Sequence, residues 1–165
     1  MRGALVLALA VSLTSLANAG TIDPAEAWRP MHAFIGTWKG TRTGADGQVK
    51  FTRDYQSAPT NHHLEITENG GGHSKGVWGI VSFDAQKEVL VLRQFGADGS
   101  ASDLALDPSA STAERVVFAT PESEGTRTRI TYERSGANIF VERIERSAGG
   151  EPFAVVSETQ FVRKG

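Results

Sequence analysis

From Gly36 to the C-terminus the chain repeats one pattern: short runs rich in Val, Ile, Thr, Phe and Tyr, broken by Gly, Asp, Ser, Asn and Pro clusters. The repeat is about ten residues, the spacing of an antiparallel sandwich or barrel. Strands are predicted near 37–43, 48–57, 61–68, 75–84, 87–95, 101–106, 114–120, 126–134, 138–146 and 153–163. Gly44-Ala45-Asp46-Gly47, Asp98-Gly99, Ser135-Gly136 and Gly149-Gly150 supply the positive-φ positions of tight hairpins between them. No strand–helix–strand alternation occurs, so a parallel sheet is not expected. Consecutive strands with such short connections form a meander, and closure removes its two unpaired edges. The expected fold is therefore all-β, an antiparallel up-and-down barrel of about ten strands.

A short helix should precede it. Asp23 is a capping residue, Pro24 suits the first helical position and Glu26 completes a capping box. Trp28, Met31 and Phe34 then give the segment one apolar face. Pro30 disfavours a helical Arg29, so one or two broken turns are expected. Further upstream, Met1-Arg2 leads into the apolar run Ala4 to Val11 and the triplet Ala17-Asn18-Ala19. That is the pattern of a secretory signal peptide, too short to span a bilayer. Residues 1–19 are read as the signal, with cleavage after Ala19, and residues 20–165 as one barrel domain, periplasmic or secreted. The chain has no cysteine, so its stability rests on packing and hydrogen bonds. With 17 basic and 19 acidic side chains interspersed, nucleic acid is not an expected partner. No later run is long enough for a membrane span.

Alternation assigns faces. In the last strand Phe153, Val155, Ser157, Thr159 and Phe161 share one parity. Val89-Leu90-Val91-Leu92 is apolar on both faces, which suggests that the N-terminal segment covers its outer side. In the second strand Val49, Phe51, Arg53, Tyr55 and Ser57 fall together, so Arg53 and Tyr55 point inward unless a bulge shifts the register. A buried guanidinium costs several kcal/mol unless paired, so an inward Arg53 implies either a buried carboxylate or a ligand carboxylate or phosphate. In 139–145 a charged residue enters the apolar parity whichever face is inside, Glu142 on one side or Arg143 and Glu145 on the other.

The phrase Gly36-Thr37-Trp38-Lys39-Gly40, opening the first strand after a short helix, resembles the calycin superfamily of lipocalins, fatty-acid-binding proteins and nitrobindin-like haem barrels. It is most similar to the nitrobindin-like and lipocalin-like secreted barrels of bacteria. The resemblance implies that Trp38 closes the narrow end beneath an Arg from the last strand, here Arg163, with Gly36 and Gly40 allowing close approach. It also implies a ligand cavity. Nitrobindin-like barrels hold haem through a late histidine, whereas the histidines here are His32, His62, His63 and His73. The third glycine of the phrase is replaced by Arg42. Haem is therefore disfavoured, and no cofactor is expected.

Candidate contacts for a small amphipathic or hydrophobic ligand are Arg53, Tyr55, His62, Trp78 and Tyr132. Gly70-Gly71-Gly72-His73 reads as a loop at a barrel mouth. A metal site at His62-His63-Leu64-Glu65 is not expected, because alternation sends His62 and His63 to opposite faces. No Gly-x-Ser-x-Gly elbow occurs, and the glycine run precedes no helix that would make it a phosphate loop. Three readings stay open: a ligand-binding barrel, an isomerase or cyclase on the same scaffold using His62 or Tyr132, and a packed barrel acting through its surface.

Overall fold

The computed structural model describes residues 24–44, 47–58, 63–71, 73–96, 98–121 and 125–165. The signal-like segment, Asp23 and His62 lie outside them. Ten strands follow one helix: α1 (Pro24–His32), β1 (Gly36–Gly44), β2 (Gly47–Ser57), β3 (His63–Gly70), β4 (His73–Asp84), β5 (Val89–Phe95), β6 (Ala101–Leu106), β7 (Arg115–Ala119), β8 (Thr126–Arg134), β9 (Ile139–Ala148) and β10 (Ala154–Arg163). Each strand pairs antiparallel with its sequence neighbours. β1 then pairs with β10, Trp38 opposite Arg163, and closes the barrel. Among the described residues no helix is long and apolar enough to cross a membrane.

The two ends of the barrel differ. α1, the start of β1 and the end of β10 meet at one end, where Phe34, Trp38, Tyr55, Tyr132, Phe140 and Phe161 are all buried. Phe140 is their hub, with ring centroids 5.1 Å from Phe34, 4.7 Å from Trp38 and 4.6 Å from Phe161. The opposite end carries the connections from β1 to β2, β3 to β4, β5 to β6, β7 to β8 and β9 to β10, and among the described residues it is open.

Three local expectations are corrected. α1 runs through Pro30 without a break. An interior proline costs about 3 kcal/mol, whereas fully burying a side chain such as Met or Phe returns about 1.5–3 kcal/mol. Met31 and Phe34 are both fully buried, enough to hold the segment helical. α1 also does not blanket the outer face of β5. It packs against β4 and β5 by placing Met31 and Phe34 in the interior cluster with Leu90 and Leu92, while Val89 and Val91 stay half-buried. In β10 the pairing skips from Val155 to Ser157, so the extra residue Val156 breaks the alternation. Val155 and Val156 are both exposed, and only Ser157, Thr159 and Phe161 continue the inner row.

At the closed end the Trp38 indole Nε1–H donates to the Phe34 carbonyl at 2.7 Å. The Arg163 guanidinium lies 4.1 Å from the Trp38 ring centre and donates to the Ala33 and Ile35 carbonyls, each at 2.9 Å. Those carbonyls follow the end of α1, where a cation is favoured. One side chain thus ties the last strand to the helix and the first strand. Gly36 has φ of 128°, and a Cβ there would come 2.7 Å from Arg163 Nη1. At Gly40 a Cβ would fall 2.6 Å from the Phe51 ring and 2.8 Å from that of Phe161. Trp38→Ala should cost about 3–5 kcal/mol of stability in urea unfolding. A variant with the parental midpoint contradicts this account of the closed end.

Candidate functional site

β2 carries no bulge against either neighbour, so its alternation survives and Arg53 and Tyr55 face inward. Both are fully buried. The anion that Arg53 requires comes from the protein: Nη1 bonds to Glu142 of β9, and Nη2 bonds to Glu68 of β3 at 2.7 Å. Arg53 Nε reaches the same Glu68 oxygen at 3.2 Å, and Nη1 lies 3.5 Å from the Tyr55 hydroxyl. The guanidinium carbon lies over the Trp78 ring, 4.1 Å from its centre, and over the Phe161 ring at 4.9 Å. Burial alone would lower the Arg53 pKa, but Glu142 and the other surrounding groups outweigh it and hold the pKa well above the ordinary value. The Arg53 guanidinium stays charged.

Glu142 resolves the ambiguity of β9. Phe140 and Glu142 are buried and Ile144 half-buried on the inner row, whereas Arg143 pairs outside with Glu158 and Glu145 with Arg129. Arg42 stands two residues beyond Gly40, its guanidinium 4.8 Å from the Phe51 ring centre and 3.7 Å from Glu68. Glu68 is therefore shared by two guanidinium groups. Counted together, Arg42, Arg53, Glu68 and Glu142 carry no net charge.

Above this cluster the open end forms a cavity of about 750 Å³. Trp78, Phe95, Ile144 and Val156 supply apolar wall, while Arg42, Glu68 and Arg146 supply charge. Trp78 is brought to this level by an irregularity in β4, where Val77 pairs with Thr67 and Gly79 with Ile66, leaving Trp78 as the extra residue. Gly70, at the start of the glycine-rich connection, also lines the cavity. Of the residues expected to touch ligand, only Trp78 lines it. Arg53, Tyr55 and Tyr132 lie buried beneath, and His62 is outside the described residues. His63 opens β3 opposite Ser82, at the end away from the cavity. No cluster of His, Cys, Asp and Glu suited to a metal ion occurs among the described residues.

Tyr132 faces Glu142 across the β8–β9 ladder. Its hydroxyl and Glu142 Oε1 are buried without a hydrogen-bond partner. Burial first, then Tyr55 and Glu142, pushes the Tyr132 pKa well up, and burial likewise raises that of Tyr55. Sealed and neutral, Tyr132 is not placed to exchange protons with a molecule in the cavity. A second depression, about 550 Å³, lies on the outer face over Gly40 beside the exposed Lys39 and Lys50. It exposes no buried charge. In comparison with known proteins, the chain matches no family model and no curated sequence.

The sequence marks Arg42 only as the replacement of a glycine, and Glu68 and Arg146 not at all. Their signal is parity: Phe140, Glu142, Ile144 and Arg146 alternate down one row, and Glu68 lies opposite Arg53 in the β2–β3 ladder. Tyr55 and Tyr132 are the only tyrosines in the chain, which makes their burial measurable. An unfolded tyrosine ionises near pH 10, so the raised folded pKa values give stability that is complete below about pH 10 and declines above it. Tyrosinate absorbance should therefore appear in one cooperative step above pH 10, together with loss of circular dichroism. Titration of either tyrosine near pH 10 in folded protein would contradict the burial.

Proposed function

We propose that this protein is an exported barrel that binds a small amphipathic or hydrophobic molecule in its open mouth, without a cofactor and without chemistry of its own. The observation that carries this reading is the division of the interior. One half is filled by aromatic side chains, and the other opens into a cavity of about 750 Å³. That volume lies within the range of small-molecule sites, roughly 300–1,000 Å³. The wall has the mixed character such sites need: an indole, a phenyl ring and aliphatic side chains beside a few charges.

Two sequence features support the wider reading. The Gly36-x-Trp38-x-Gly40 phrase resembles calycin barrels, many of which enclose ligands, and the first nineteen residues resemble a secretory leader, which favours a periplasmic or secreted location. Here Arg53 is satisfied by two carboxylates of the chain, so the ligand rests above it.

Native mass spectrometry of protein purified from its own host tests the proposal. A small-molecule adduct should accompany the folded barrel, weaken on Trp78→Ala and persist on Tyr132→Phe. Recovery of bare polypeptide only, or an adduct indifferent to Trp78, would contradict it.

A further inference from the structure

The arginines near the cavity are not equivalent. Arg53 is taken by Glu142 and Glu68, and Arg42 shares Glu68 while donating to Thr159 Oγ1 at 3.3 Å. On the outer face Arg129 is held by Glu145 and Arg143 by Glu158. Arg146 also belongs to the inner row of β9 and lines the cavity, yet it makes no hydrogen bond or ion pair among the described residues. It is exposed where Ile144 below it is half-buried and Glu142 below that is sealed.

This order of charge with depth selects how a ligand enters. At the floor the Arg42 guanidinium is already engaged by Glu68 and Thr159, so an anionic group placed there would sit beside the Glu68 carboxylate and be repelled by it. No carboxylate of the described residues engages Arg146 at the rim. An apolar group, by contrast, finds Trp78 and Ile144 at the floor, with the indole already backed by Arg53.

We infer that the mouth takes a small amphiphile with one anionic group, apolar part down on Trp78 and head outward at Arg146. The inference rests on the mouth being a ligand site and adds the charge and orientation of what fills it. Arg146 pairs opposite Thr128 and Ala154, which bring no opposing charge. Successive inner positions on a strand are about 6.6 Å apart, so head and floor are separated by roughly the length of a two-ring aromatic group.

Two fluorescent probes with the same skeleton separate these claims: anilinonaphthalene sulfonate, which is anionic, and N-phenylnaphthylamine, which is neutral. Both should bind the full-length protein, and Trp78→Ala should weaken both. Arg146→Gln should weaken the sulfonate about twofold to fivefold, the scale of one exposed ion pair, and leave the neutral probe unchanged. Arg146→Lys should retain most of the sulfonate affinity. Unchanged sulfonate binding in Arg146→Gln, or an equal loss for both probes, overturns the inference while leaving the mouth site intact. If neither probe binds, or if Trp78→Ala changes neither affinity, the mouth reading itself fails and the inference falls with it.

Discussion

The Arg53 guanidinium, fully buried in the middle of the barrel, is the constraint on which the remaining interior depends. A charge in such a place costs several kcal/mol unless neighbours compensate it. Glu142, Glu68, the Tyr55 hydroxyl and the Trp78 ring supply that compensation from four different strands. Loss of one partner of a buried pair typically costs about 3–5 kcal/mol, because the other charge is left behind. The cluster therefore fixes the inward faces of β2, β3, β4 and β9 relative to one another. It also divides the interior into a packed lower half and an open upper one.

Below it, aromatic packing takes over. Phe140 touches Phe34, Trp38 and Phe161, and Trp38 is clamped between that ring and Arg163. The last strand reaches the helix through the same arginine, so the seam between β1 and β10 and the closure of the narrow end are one structure. Above the cluster no aromatic network of this extent occurs among the described residues. The bulge at Val156 turns Val155 outward and leaves Val156 on the wall, the irregularity at Trp78 brings an indole to the same wall, and the cavity lies between these two strands.

Much of this was legible in the sequence because a strand period of two is a rigid rule wherever no residue is inserted. β2 obeys it, so Phe51, Arg53 and Tyr55 could be placed inside, and the need for a buried carboxylate or a ligand anion followed. The choice between them required Glu68 and Glu142, which lie 15 and 89 residues away from Arg53. No local pattern connects them. Insertions broke the rule elsewhere: Val156 reversed the faces expected at the start of β10, and the extra residue at Trp78 set that indole on the cavity wall, while Arg53, Tyr55 and Tyr132 lie sealed beneath it. Pro30 misled for a different reason, since tertiary burial of Met31 and Phe34 outweighed a local penalty. Arg146 was hidden in an ordinary charged strand until the inner row of β9 was known.

In the proposed function, ligand occupies the upper half and leaves the lower half untouched. The three tryptophans report on this directly, because Trp78 lines the cavity, Trp38 is sealed at the closed end and Trp28 packs on the helix side of the core. Indole N–H resonances followed by nuclear magnetic resonance during titration with N-phenylnaphthylamine give one signal for each. A progressive shift of Trp78, with Trp38 and Trp28 unmoved, is the predicted result. Movement of Trp38, or a silent Trp78 while the probe binds, would contradict the division of the barrel proposed here.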